Sequence, residues 1–310
     1  MKATQYRIRH ETVYDYQSDV AHAHHLLHLV PRPAPYQQCL EHSITVAPAG
    51  FRRREEVDAF GNPMTRVEIA QPHRQLTVTS EMQVEVHPRP RMRAADSEPW
   101  ERCRAEVAFD GRWPSREGLE ARRYRHESPH VRIKQQFIDY AADAFAPQQP
   151  LLECAESLMH RLHADITYAP GETSVATPTT EVLAQRRGVC QDFAHLMIAC
   201  LRSRGLAARY VSGYLHNRAG AAAADAAPAT RDAPPPLVGH DASHAWVAAY
   251  VPPFGWIEFD PTNRCYVGTD HVAIAWGRDF GDVSPLRGVI IGGGRHELEV
   301  RVGVVPVTPS

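Results

Sequence analysis

The sequence predicts an α+β protein: an N-terminal antiparallel β domain, then a core in which helices pack on an antiparallel sheet. Three observations predict it. The first ninety residues alternate at period two, a long apolar helical stripe follows at 191–204, and strand patterns return at 208–215, 245–251 and 256–260. At 310 residues the chain is too long for one ordinary core, so two domains are expected, 1–90 and 132–310, joined by a linker at 91–131.

In the first region Tyr6, Ile8, His10, Thr12, Tyr14 and Tyr16 share one face, and aromatic and β-branched residues favour strands. Further strand-like runs lie at 43–47, 65–70 and 76–86, and Asp58-Ala59-Phe60-Gly61-Asn62-Pro63 carries turn chemistry between two of them. The domain is expected to end near His87-Pro88-Arg89-Pro90. Residues 91–131 are charged and weakly periodic, which reads as a linker with one short helix. Helical patterns at 133–145 and 150–163 follow, the second with Pro150 near its first turn, and are expected to form the helical layer under the catalytic region.

The stripe at 191–204 is Phe193, Leu196, Met197, Cys200 and Leu201. Arg202 and Arg204 suit the negative end of this helix, and Gly205 can stop it. The Ala/Pro/Asp-rich stretch 219–236 reads as a mobile surface loop. At the C-terminus, 288–291 and 297–305 are expected to form a β-hairpin turning at Gly292-Gly293-Gly294, a run without the Lys-Ser/Thr of a phosphate loop.

Hydrophobic residues at 43% and charged residues at 23% place the chain with soluble globular proteins. A formal charge of −2 gives no global basic field, so neither nucleic acid nor an acidic membrane is expected as a partner. No apolar run reaches the ~18 residues of a membrane span, and the charged N-terminus lacks the apolar stretch of a signal peptide. A cytoplasmic location is expected. Cys39, Cys103, Cys154, Cys190, Cys200 and Cys265 contain no CxxC pair, which reads as free thiols and excludes a zinc ribbon. No EF-hand pattern occurs, and no cofactor is expected.

Arg187-Gly188-Val189-Cys190-Gln191-Asp192-Phe193 carries the chemistry. A glycine-containing turn delivers Cys190 to the first turn of a strong helix, where unpaired N–H groups and the positive dipole end favour thiolate over thiol. A lone cysteine is more often a small buried hydrophobe, and Cys200 on the apolar stripe fits that description. Cys190 precedes the stripe and does not. Its base must come from eighteen histidines. His195 lies five positions on, roughly 140° around the helix, and points away. His244 opens a strand that turns at Pro252-Pro253-Phe254-Gly255 into Trp256-Ile257-Glu258-Phe259-Asp260. With the turn centred near Pro252, His244 and Asp260 would lie opposite each other, Cβ atoms roughly 5 Å apart. Taken singly, Asp260 in Asp-Pro-Thr is an ordinary turn residue and His244 a half-buried strand histidine. The order cysteine-on-helix, histidine-on-strand, aspartate-on-next-strand is harder to obtain by accident.

These three segments resemble the core motifs of the bacterial transglutaminase-like proteins. The resemblance extends to Tyr6-Arg7-Ile8-Arg9-His10 through Tyr16, Leu29-Val30-Pro31-Arg32, Asp58-Ala59-Phe60-Gly61-Asn62, and Trp276-Gly277-Arg278-Asp279 through Pro285, and so covers nearly the whole chain. It implies a papain-related, transglutaminase-like core with a Cys190-His244-Asp260 triad acting on a peptide, protein or amide substrate. Cys190 would attack an amide carbonyl to form a thioester, His244 would carry the proton to the leaving amine, and Asp260 would hold the imidazole's tautomer. The oxyanion would be met by the Cys190 N–H and one further donor, for which the resemblance suggests Tyr168; the other reading of Tyr168 is a core-packed aromatic.

Water as acceptor gives peptide or isopeptide hydrolysis, an amine gives transglutamination, and the triad is the same for both. Two rival readings remain. One is a catalytically silent module that binds a peptide or a partner protein. The other is a metal site on Cys190, His244 and Asp260, which needs a fourth ligand such as His240. His22, His24 and His28 would share a face by alternation, but without an evident carboxylate partner they read as a solvated strand. Asp192 reads as a cap or backbone acceptor at the helix start.

Overall fold

The computed structural model describes residues 2–90, 92–108, 115–216 and 243–307. The 219–236 stretch and His240 lie outside the described residues.

A 24-residue strand, β1 (Thr4–Leu27), organises the first sheet. Around it lie β2 (Gln37–Ala47), β3 (Arg52–Val57), β4 (Pro63–Ile69) and β5 (His73–Val86). β5 pairs with the first half of β1, from Thr4↔Val86 to Asp15↔Gln75, and β4 with the second, from Ala23↔Ile69 to Leu27↔Thr65. The expected alternation holds: Tyr6, Ile8, His10 and Thr12 are buried, as is Tyr16, while Tyr14 is half-buried.

The stretch 91–131 is not only a connector. It holds α1 (Trp100–Glu106) and α2 (Arg116–Ala121), and Trp100 and Cys103 are buried in the same core as the later helices. Its charges had masked the few apolar side chains that turn inward. Then come α3 (Gln135–Tyr140), α4 (Leu151–Asp165), β6 (Thr167–Tyr168), α5 (Thr179–Gln185), β7 (Arg187–Gly188) and α6 (Cys190–Ser203). The second sheet comprises β8 (Ala208–Leu215), β9 (His244–Val251), β10 (Gly255–Asp260), β11 (Cys265–Tyr266) and β12 (His271–Gly277), in the order β11-β10-β9-β8-β12.

Helix α6 packs on β8 and β9 and is ringed by α3, α4 and α5, so Phe193 through Arg202 are all buried. Arg202 therefore does not merely face the helix end in solvent. Its guanidinium donates to the carbonyls of Tyr124, His126, Ala208 and Arg278 and to Ser128 Oγ. A buried cation keeps its charge only when such acceptors replace water.

The expected C-terminal hairpin does not form. β13 (Leu286–Gly292) and β14 (His296–Val307) both pair with β1 instead, at Val20↔Gly292 through Leu27↔Leu286 and Gln5↔Val307 through Tyr16↔His296. Gly292, Gly293 and Gly294 all have positive φ, and Gly293 exchanges backbone hydrogen bonds with Ser18 and Asp19. The glycines follow a bulge in β1 rather than reversing the chain.

The two sheets meet at β12. Ala273 and Trp276 on this edge strand find side-chain amides where a neighbouring strand would be. Gln37 exchanges two bonds of 2.7 Å with the N–H and C=O of Ala273, and Asn62 two of 2.9 Å with those of Trp276.

Candidate active site

β6 and β7 form a two-residue parallel ladder that sets Tyr168 beside Gly188, two positions before Cys190. Gly188 admits no side chain, because a Cβ there would lie 2.7 Å from Asp192 Cβ. That closeness lets Asp192 accept from the Val189 N–H at 2.8 Å and from Thr173 Oγ1 at 2.7 Å, closing the start of α6. Cys190 is the first residue of the helix and is half-buried. Burial pushes the Asp192 carboxyl up against these two bonds.

His244 opens β9 and Asp260 closes β10. The hairpin pairs Gly255↔Val251 through Phe259↔Val247, centred on Pro253 rather than Pro252. The assumed register is thus off by two, and Asp260 falls opposite Trp246, diagonal to His244. Period two keeps both on one face, and diagonal neighbours remain within side-chain reach. His244 Nε2 and Asp260 Oδ2 are 2.7 Å apart, with both side chains wholly buried.

The other ring nitrogen, His244 Nδ1, is buried without a hydrogen-bond partner at normal geometry. The thiol of Cys190 is the group beside the ring that interacts with it. Burial alone would lower the His244 pKa, but the charge and hydrogen bond of Asp260, with Cys190 adding to them, raise it from 6.5 to about 10. Burial likewise opposes ionisation of Asp260, yet His244 and His271 hold its carboxyl far below the usual range. The site is built to keep a carboxylate facing a cationic imidazole.

Two residues that sequence reasoning missed complete it. Asn263 Nδ2 donates to Asp260 Oδ2 at 2.7 Å, and His271 Nε2 lies 3.1 Å from the same oxygen. Asp260 Oδ1 accepts the N–H groups of Thr262 and Asn263. The turn chemistry of Asp-Pro-Thr-Asn was a usable signal for Asn263. His271 arrives on a strand across the sheet, which no local pattern announces.

Tyr168 is half-buried; burial first, then the charge of Cys190, raises its pKa, so its hydroxyl stays protonated near Cys190. His195 is engaged by other partners. It is buried, stacks on His130 and accepts the Phe280 N–H at 3.1 Å. Among the other thiols, burial pushes Cys103, Cys154, Cys200 and Cys265 up to about 12 and Cys39 upward.

His28 does not share the face of His22 and His24; it is buried against Asp58. A carboxylate does accompany the other two, because Glu68 on β4 lies across from His24, with Glu68 Oε1 3.6 Å from His22 Nε2. The two rings also bond each other at 2.9 Å.

This architecture has known counterparts. The family described as the bacterial transglutaminase-like N-terminal region matches residues 6–85, and the transglutaminase-like superfamily matches residues 138–261. The chain belongs to the transglutaminase-like superfamily. It is 37% identical to the uncharacterized protein Rv2569c of Mycobacterium tuberculosis, over 97% of this chain and 92% of that one. It is 31% identical to the uncharacterized protein ML0607 of Mycobacterium leprae, over 96% and 97%. A crystal structure from Cytophaga hutchinsonii, of a protein put forward as a cysteine protease, shares the fold at a TM-score of 0.74 and 18% identity, covering 100% of this chain and 93% of that one.

Proposed function

We propose that the protein is a cysteine-dependent acyl-transfer enzyme acting on amide bonds, with water as acceptor and a peptide or isopeptide as donor. One observation carries this reading: a single buried imidazole has a carboxylate on Nε2 and also interacts with the thiol of a cysteine at a helix N-terminus. The Cytophaga hutchinsonii protein's description as a cysteine protease points the same way.

The steps follow from the groups. Cys190 Sγ, as thiolate, attacks the carbonyl carbon, and the new oxyanion is met by the Cys190 N–H and the Tyr168 hydroxyl. Collapse breaks the C–N bond while His244 gives its proton to the leaving amine, which leaves a thioester. Water then attacks, His244 takes a proton from it, and the acid and free thiol are released. An amine in place of water would give transglutamination.

The geometry does not favour the metal reading. Among the described residues the ligating atoms of His244 and Asp260 gather within 4.8 Å of one another with His271 and not with Cys190, so the Cys190-containing donor set is not assembled. All six thiols are free, which fits a reducing, cytoplasmic setting. Among the described residues no helix is long and apolar enough to cross a membrane.

A mixed peptide digest incubated with the protein and a tagged primary amine, followed by mass spectrometry, tests the proposal. New C-termini that need Cys190 support hydrolysis, and tagged glutamines would move the reading to amine transfer. Products identical with the Cys190→Ala variant would overturn it.

A further inference from the structure

Asp260 faces two imidazoles, His244 and His271. The second, His271, is buried, 3% exposed. The Gly268 N–H lies 3.4 Å from His271 Nδ1, which makes Nδ1 the acceptor and leaves the hydrogen on Nε2, pointing at Asp260 Oδ2 3.1 Å away. Trp246 packs edge-on against the ring with centroids 5.4 Å apart. That indole is itself fixed: its Nε1–H donates to Glu258 at 2.8 Å, and Gly213 beneath it has no room for a Cβ, which would meet the indole at 2.4 Å.

The N-terminal sheet grips the chain on both sides of His271. Tyr6 OH lies 3.2 Å from Asp270 Oδ1, and Gln37 holds both backbone groups of Ala273. The ring is held too firmly to turn to another partner.

We propose that His271 is a positioning residue of the acyl-transfer site: its Nε2–H fixes the Asp260 carboxylate, which in turn orients His244 toward Cys190. This rests on the functional reading above. It also gives the N-terminal sheet a part in catalysis, since that sheet sets where His271 stands.

The test compares the rate of Cys190 carbamidomethylation at pH 6 in the wild type, His271→Gln and His271→Leu. Gln keeps an N–H donor at about the reach of Nε2, whereas Leu keeps bulk without a donor. The Leu variant should react slower on the order of tenfold, one hydrogen bond's worth, and the Gln variant within about threefold of wild type. Equal rates in folded Leu and wild-type proteins, or equal losses in Leu and Gln, would overturn the proposal. If the Leu variant does not fold, His271→Asn, whose amide stops short of Asp260, takes its place under the same criterion. A wild-type rate that does not depend on His244 would instead overturn the functional reading itself, so the two failures are distinguishable.

Discussion

Strands β9 and β14 are both regular and antiparallel, yet they meet water in opposite ways. Every residue of β9 is buried, whereas most of β14 is exposed, with Leu298, Val300 and Val305 open to solvent. The polar groups follow suit. On the first sheet Arg9, Glu11, Glu81 and Arg301 pair in the open, where ion pairs contribute little and are screened. On the second, Asp260, His244 and His271 are buried and make up for lost water with directed bonds. A carboxylate facing an imidazole has chemical consequence only where water cannot share it, so covering both faces of the second sheet makes the site.

The largest break in this contrast should come from Asp260→Asn. By analogy with base-orienting carboxylates elsewhere, Cys190-dependent turnover should fall by on the order of 10³- to 10⁴-fold with the fold retained. Steady-state kinetics beside circular dichroism checks this, and a loss under tenfold would contradict it.

Gly213→Ala comes next. Its Cβ would lie 2.1 Å from the Val272 carbonyl and 2.4 Å from Trp246, so urea unfolding should show a loss of about 3 kcal/mol. Gln37→Met should cost about 2 kcal/mol, because the Ala273 N–H and C=O lose their partners. Gly303→Ala on β14 meets nothing within 4 Å and should stay within about 0.5 kcal/mol of wild type.

The sheets should also differ in their response to pH. Burial depresses His10 and His25 of β1 from 6.5 to about 4, so the unfolded chain takes those protons first. Their contribution to stability is lost as pH falls from about 6.5 to about 4. His244 has the opposite sign: raised to about 10, it contributes fully below about 6.5 and loses that contribution as pH rises through about 10. Asp260, held low, contributes above its ordinary 3.8 and loses that only in stronger acid. Hydrogen exchange should find β1 opening first on acidification and β9 on alkalinisation. The reverse order would contradict the assignment.

What was legible in the sequence was local. A glycine turn before a helical stripe located Cys190, and alternation located β1. The His244–Asp260 pair survived an incorrect register only because an error of two leaves both side chains on one face. The less local the determinant, the less the sequence revealed. His271 reaches Asp260 from across the second sheet, and the pairing of β13 and β14 with β1 joins opposite ends of the chain. The glycine run that suggested a reversal matches a bulge near Val20 in a strand at the other end of the sequence.

On the proposed function, Cys190 and His244 act as one reactive pair. Substoichiometric thiol alkylation of the native protein at pH 6, with the adduct mapped by mass spectrometry, tests it most directly. One modified position, Cys190, is expected, and its modification is lost in His244→Ala. Label spread evenly over the six cysteines, or Cys190 labelling unchanged without His244, would contradict it.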